Sequence, residues 1–575
     1  MPRFNLSDAE LASLTDYFTA IDRIPERPRF EPKLEAKAAM NAGGRLVTAT
    51  GFGCTSCHQI GHALPTNVAL AAHGTDLSLL GRRIRRPWFD RWVRNPARIV
   101  PRMEMPAIQI PVRGVLGDKL DNQLAAVWQV LNTPSFEPPP SGPIRAARHS
   151  GDGPPLVITD VVNLGKRVIV RPVLIGLNNR HNVLFDVGGN RLAGWWLGDT
   201  AQQLTQGKGW HWEPAAANLL ESTTGRGPEV ELVAGERTLS PAATAGSSLS
   251  EVDWYETLED SVRFGYRLTF VDGEKSFVVE VTQWISPLAE AEQHSGDPVS
   301  GFRRRWQFTG VPAGYALRWN LGSSIQSRII GPIEPADGQG DGQCYEARYT
   351  TSESVAAAAP AIAQPAADSA VHLPVVPGYE AVRLPLPRSE MPTGLAWRSD
   401  GTLAFCSLKG GVWLARDTDG DGLEDRLSQV ADGLPAPYGI ACEGEAVDVA
   451  AKYGLVRLHH LDGEGRARRA DVVASGWGYT DDYHDWTIGL PRDAAGNYYV
   501  GLPCQQDNRS PADAALRGTV VKLRPRQPTP DSPRQFDLDV LSAGLRFPTG
   551  LALDRDGELF VTDNKGNYNP FNELN

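Results

Sequence analysis

The sequence predicts a multidomain chain: a small all-α domain, then an all-β sandwich, then an incomplete β-propeller. Three observations predict this order. Apolar residues recur at helical spacing in the first 133 residues, apolar–polar alternation takes over from residue 155, and a glycine-centred motif repeats from residue 374 onward. The 575 residues leave room for all three, since domains run to about 100–200 residues each.

Residues 1–30 open with Ser7 three positions before Glu10, a capping box that starts a helix, and Leu11, Leu14 and Phe18 carry it to about Ile21. Residues 33–133 hold further helices at Ala36–Leu46, Trp88–Val93 and Lys119–Leu131; the last has Leu120, Leu124, Val127 and Leu131 on one face. Residues 134–154 are rich in Pro, Gly and Ser and read as a linker. In 155–350 the alternation of Arg167–Leu174, Tyr266–Phe270 and Ser276–Val281 predicts strands, and Asp272-Gly273 between two such runs predicts a hairpin. A second linker spans 351–373, Ala/Pro-rich over 356–370.

Residues 374–575 repeat. Pro392-Thr393-Gly394-Leu395-Ala396 returns as Pro548-Thr549-Gly550-Leu551-Ala552, with Tyr438-Gly439-Ile440 and Ile488-Gly489-Leu490 between. The glycines stand 45, 50 and 61 residues apart, the interval of propeller blades with loop insertions. Three of the four are followed by a turn and a strand, at Leu403–Ser407, Tyr498–Leu502 and Leu559–Thr562. Four blade starts fall short of a closed ring, and the last blade would expose unpaired edges, so residue 575 reads as a fragment boundary.

A net charge of −11 argues against a nucleic-acid partner. No stretch reaches the roughly 18 apolar residues of a membrane span, and no signal peptide opens the chain. Six cysteines are present. Cys344, Cys406, Cys442 and Cys504 are far apart, and an oxidising compartment would allow one or two disulfides among them without assigning the pairs.

The other two lie in Cys54-Thr55-Ser56-Cys57-His58, the signal for covalent attachment of c-type haem. Two thiols add across the haem vinyl groups while the adjacent imidazole, on the same helical turn, coordinates iron. A second axial ligand is needed. Met105, in Met105-Pro106, lies 47 positions beyond His58, and thioether ligation raises the potential as suits an electron acceptor. Met103 competes. Met105-Pro106-Ala107-Ile108-Gln109-Ile110 repeats the pattern of Met1-Pro2-Arg3-Phe4-Asn5-Leu6 ahead of an amphipathic helix, which favours Met105. A zinc half-site with His62 is the competing reading of the cysteines, but it lacks a second pair of ligands.

This region resembles class I cytochrome c domains over about residues 33–133: Gly43-Gly44-Arg45-Leu46 before the haem motif, Asp76-Leu77 after it, and Trp88, Trp92 and Asn95-Pro96 before Met-Pro. Residues 1–30 look like the C-terminal remnant of a preceding cytochrome c domain, which would make Met1 an internal residue of a longer protein and explain the missing signal peptide. The resemblance implies a periplasmic or otherwise extracytoplasmic protein, and a redox partner protein or neighbouring cytochrome domain.

The repeat resembles propellers of the glucose/sorbosone dehydrogenase type, as found fused to cytochrome c domains in large secreted haem-binding proteins. Asp482-Tyr483-His484-Asp485-Trp486-Thr487-Ile488-Gly489-Leu490, followed by Gly496-Asn497-Tyr498-Tyr499-Val500-Gly501, is similar to that family's His-containing loop. The resemblance implies His484 as a general base beside pyrroloquinoline quinone, with a sugar or alcohol as substrate. The family's arginine two to four residues after the histidine is replaced here by Trp486-Thr487-Ile488. Asp417, Asp419 and Asp421 alternate in an oxygen-rich run that suits Ca²⁺, although Ser428 stands where an EF-hand has glutamate; an Asp/Gly turn is the other reading. Trp195, Trp196, Trp210 and Trp212 suit a sugar-stacking platform or, more commonly, a sandwich core. Two functions follow as expectations: an oxidoreductase whose propeller feeds electrons to haem, or an electron carrier fused to non-catalytic β domains that bind carbohydrate or protein.

Overall fold

A computed structural model gives the fold. It describes all residues except 1–4, 23–31, 33, 49–50, 66–73, 102, 104, 139–144, 150, 152, 166, 207–208, 221–226, 244–247, 289–299, 322–324, 326–328, 336–341, 354–370, 374, 380, 384–385, 387–389, 483, 505–508, 530–531, 565–572 and 575. Strands account for 43% and helices for 14%, so the chain is mostly β. It divides into two compact units, Met1–Gly142 and Pro143–Asn575. No described helix is long and apolar enough to cross a membrane.

Among its described residues the first unit carries six α-helices: α1 Asp8–Asp22, α2 Ala36–Val47, α3 Leu80–Arg83, α4 Arg86–Arg94, α5 Pro96–Ile99 and α6 Leu120–Leu131. The capping box forms at α1, where Ser7 N–H donates to Glu10 Oε2 (2.8 Å) and Glu10 N–H to Ser7 Oγ (3.4 Å). Yet Leu11, Leu14, Phe18 and Ile21 remain 42–59% exposed, so this apolar face packs on nothing described. The core is built from α2, α4 and α6 instead, through Ala39, Leu46, Phe89, Val93, Leu124, Val127 and Val130. Helices α2 and α6 cross at Gly43, where a Cβ would lie 2.5 Å from Ala126 O and 2.6 Å from Val130 Cγ1. Only a residue without a side chain permits that approach. Met1–Phe4, used in the Met-Pro comparison, lie outside the described residues.

The second unit begins with strand Arg145–Ala147, inside the stretch expected as a linker. In the region around 155–350, a four-stranded sheet runs in the order Leu156–Ile158, Pro172–Gly176, His181–Asp186, Arg191–Leu197. It packs face to face on a larger sheet through Phe185 on Phe264 (5.7 Å between ring centroids) and Trp195 on Phe302 (5.2 Å). This is sandwich packing. The Asp272-Gly273 hairpin forms, with Asp272 opposite Lys275 and Gly273 at φ 63°.

The larger sheet has ten strands and crosses the expected boundary. Its first six, up to Val252–Thr257, come from the sandwich region. The other four are Ala467–Ala474, Gly454–Leu461, Ala446–Ala451 and Gly439–Glu443. The junction is an antiparallel ladder, Trp254 to Asp471, Tyr255 to Ala470 and Glu256 to Arg469. One hydrophobic core runs through both regions. That is why the two β regions form one compact unit.

The repeat folds as blade-like antiparallel sheets. The first is Pro392–Trp397, Leu403–Ser407, Val412–Arg416 and Arg426–Ala431; the second is the four-stranded part of the shared sheet; the third and fourth start from Ile488 and Pro548. The repeated glycine lies where the first strand of one blade meets the next. A Cβ on Gly394 would lie 3.2 Å from Ile440 N, one on Gly439 1.9 Å from Gly489 O, and one on Gly489 3.2 Å from Leu551 Cβ. Close approach of backbones is the physical reason at Gly394 and Gly439, and the left-handed φ of 78° is the reason at Gly489.

Candidate functional site

In the first unit Cys54–Ser56 form one 3-10 turn, entered through Gly53 at φ 73°. Cys57 N–H and His58 N–H both donate to Cys54 O (3.3 and 2.9 Å), which winds the two thiols and the imidazole around one turn. Burial pushes the Cys54 thiol up to about 12. His58 Nδ1 lies 2.8 Å from the Thr75 carbonyl, which fixes that nitrogen as the donor and leaves Nε2 with the lone pair. Gly74 lies flat against the ring, since a Cβ there would fall 2.3 Å from two imidazole atoms. His62, the extra ligand a zinc reading needs, is engaged by Glu137 (2.7 Å).

Met105 packs on the same core as Cys54. Trp92 Nε1–H donates to its sulfur (3.1 Å), and Trp92 stacks on Trp88 at 4.9 Å. Met103 is half-buried, its N–H donated to Val100 O (3.1 Å). The donor set therefore fits a haem: two thiols and a histidine with a fixed tautomer, and a thioether on the same core.

His484 sits in the loop before the third blade, held by Asp482. Asp482 Oδ1 accepts from His484 N–H (2.8 Å) and lies 2.9 Å from His484 Nδ1. Its ring lies beside Trp486 (5.9 Å) and Phe547 (6.0 Å), and Tyr438 stacks on Trp486 at 4.7 Å. Tyr483 lies outside the described residues. The arginine missing next to His484 has two counterparts that sequence reading did not find. Arg509 pairs with buried Asp485 and stands 3.8 Å from Asp482. Arg517 donates to the carbonyls of Gly478 (2.5 Å), Trp486 (2.8 Å) and Asp485 (3.2 Å), and burial lowers its pKa to about 10. Both come from the excursion between Tyr498–Leu502 and Thr519–Pro525, and nothing local to His484 signals them. These guanidinium groups are committed to the loop, so neither replaces the arginine expected beside His484.

Asp417, Asp419 and Asp421 gather with one carboxylate oxygen each within 4.8 Å of one another, all exposed. Asp417 also accepts from Gly420 N–H (2.7 Å) and Gly422 N–H (2.9 Å), which hold its carboxyl below the usual range. Trp195, Trp196 and Trp212 are core residues, exposed by 1% or less, and form no sugar platform. Trp210 lies under Lys409, whose Nζ is 3.3 Å from the ring centroid. Cys344, Cys406, Cys442 and Cys504 form no disulfide.

Residues 391–573 match a family model described as a domain of unknown function (DUF7133). No curated protein matches the chain in sequence. Among solved structures, the chain is similar to an oxidoreductase of Thermus thermophilus described as a glucose dehydrogenase, at 25% identity over 32% of this chain and 62% of that one, TM-score 0.26. It is similar to the PQQ domain of pyranose dehydrogenase from Coprinopsis cinerea, at 17% identity over 35% and 47%, TM-score 0.27. A third is the β-propeller domain of Myceliophthora thermophila Cps50 (Swd1), at 16% identity over 30% and 49%, TM-score 0.20. The chain covers less than two thirds of each of these structures.

Proposed function

We propose that this chain is an electron-transfer protein with covalent haem c, and that the haem accepts electrons from oxidation of a sugar or alcohol at the propeller region. The Cys54–His58 turn, with Nδ1 of His58 tied to the Thr75 carbonyl, carries the haem reading. Cys54 and Cys57 would hold the haem through thioether bonds, and His58 Nε2 and Met105 Sδ would ligate its iron. Haem supplies reversible one-electron chemistry. Thr75 fixes the His58 tautomer, and the Trp92 N–H on Met105 withdraws electron density from the sulfur, both of which tune the potential.

At the propeller, Asp482 holds His484 Nδ1, so Nε2 would take the proton of a substrate hydroxyl. Pyrroloquinoline quinone and Ca²⁺ are implied by the family resemblance alone, the second with Asp417, Asp419 and Asp421 as its ligands. The commitment of Arg509 and Arg517 to the loop favours a second reading, an electron carrier whose β regions only bind carbohydrate or protein. Haem-loaded protein supplied with quinone and Ca²⁺ separates the two. Sugar- or alcohol-dependent appearance of the reduced haem spectrum is expected; no reduction with any of them leaves the carrier.

A further inference from the structure

Two lysines occupy equivalent turns of the first two blades. Lys409 lies between Leu403–Ser407 and Val412–Arg416, and Lys452 between Ala446–Ala451 and Gly454–Leu461. Both are buried, 7% and 1% exposed, although lysine is seldom buried without a partner. The sandwich region grips both turns. At Lys409, Arg145 Nη2 and Gln203 Nε2 (3.1 Å) donate to the carbonyl, and Trp210 covers the ammonium. Beside the second turn, Thr159 and Asp160 donate their N–H groups to Gly433 O (2.9 and 3.0 Å), and Thr159 Oγ1 meets Tyr453 OH at 3.3 Å. Asp160 is 4% exposed; Lys452, Arg145 and Lys409 are cations that face it, with Trp212 beside it.

The two ammonium groups differ in destination. Lys409 turns back to the sandwich region, whereas Lys452 Nζ donates to Thr480 O (3.2 Å), in the loop of His484. Its backbone is held on both sides, by Pro435 O accepting from its N–H (2.9 Å) and by Trp477 Nε1–H donating to its carbonyl (3.0 Å). Thr480 is the hub of that loop. Asp485 accepts from its N–H (2.7 Å) and Oγ1 (2.6 Å), its Oγ1 accepts from Asp482 N–H (3.1 Å), and Asp482 holds His484. Asp160, Asp481, Asp482 and Asp485 all face Lys452, and Arg509 and Arg517 engage the same loop.

We propose that Lys452 is a positioning residue for His484, and that buried Asp160 of the sandwich region, beside the Lys452 turn, helps to hold it on Thr480. The sandwich region is thereby part of the propeller's site. The proposal rests on reading His484 as the functional histidine of that site. A buried ammonium aimed at one carbonyl is a costly way to hold a turn, since a well-packed apolar side chain would serve stability as well. The carbonyl of Thr480 requires a donor, and the donor requires a counter-charge.

The test uses the full chain carrying Lys452→Met, Lys452→Arg or Asp160→Asn. Amide hydrogen exchange is followed in 478–486, with Leu403–Ser407 as control, together with the ¹⁵N-histidine signal that His484→Asn removes. Lys452→Met is expected to speed exchange in 478–486 by about tenfold or more and to displace the His484 signal, leaving the control strand unchanged. Lys452→Arg restores both. Asp160→Asn is expected to speed exchange in the same segment by about threefold, although it touches no residue of the loop. If Lys452→Met does not fold, Asp160→Asn decides. Unchanged exchange and an unmoved His484 signal overturn the proposal. Neither readout needs a substrate, so a failed haem-reduction assay leaves this proposal standing and its own failure leaves that assay standing.

Discussion

The sulfur of Met105 receives a hydrogen bond from Trp92 and packs on the core of the first unit, while Met103 is tied only through its backbone. In haem-loaded protein, Met105→Ala is expected to abolish the weak near-infrared sulfur–iron band and lower the potential, and Met103→Ala to leave both in place. A band lost on replacing Met103 would reverse the axial assignment. A second expectation concerns pH. Burial raises the Asp160 carboxyl from an ordinary 3.8 to about 6, so between those values the folded chain keeps a proton that the unfolded chain has lost. Stability therefore falls as pH rises from about 4 to about 6. Asp160→Asn removes that fall, and denaturant titrations at pH 4.5 and pH 7.5 read it directly. At this scale the turn of Cys54, Cys57 and His58 was legible because its residues are adjacent in the chain. Asp160, Lys452, Arg509 and Arg517 were not, because a buried charge is defined by partners that arrive from elsewhere in the chain.

At the scale of elements, glycines set the two tightest packings. Gly43→Ala would drive a methyl into Ala126 O and Val130 at the crossing of α2 and α6. A cost of about 1–3 kcal/mol, measured by urea unfolding of the first unit, is expected. Gly439→Ala places its Cβ 1.9 Å from a backbone oxygen of the next blade, where no side chain can yield, and should cost at least as much. Here the sequence was informative in proportion to locality. The capping box at Ser7, the Asp272-Gly273 hairpin and the glycine repeat are short-range signals, and each forms. The exposure of the apolar face of α1 was not legible, because periodicity shows that a helix has an apolar face and not what lies against it.

For the whole molecule, the division into two units predicts that residues 1–142, expressed with a haem-attachment system and an export signal, take up covalent haem without the rest of the chain. A pyridine haemochrome spectrum decides it, and colourless folded protein would sink the central reading. The second unit should not divide in the same way. A chain ending at residue 353 would leave strand Val252–Thr257 without its partner Ala467–Ala474, and soluble expression of either half alone is expected to fail. Composition and alternation predicted two β regions because those signals are read within windows, and the ladder from Trp254 to Asp471 joins residues far apart in the chain. That ladder also has a consequence in time. During synthesis at roughly 5–20 residues per second, the sandwich strand would wait on the order of 10–40 s for its partner to leave the ribosome. Throughout that interval the nascent chain carries an unpaired strand edge, so its yield in the cell should depend on how fast it is made and on what shields that edge meanwhile.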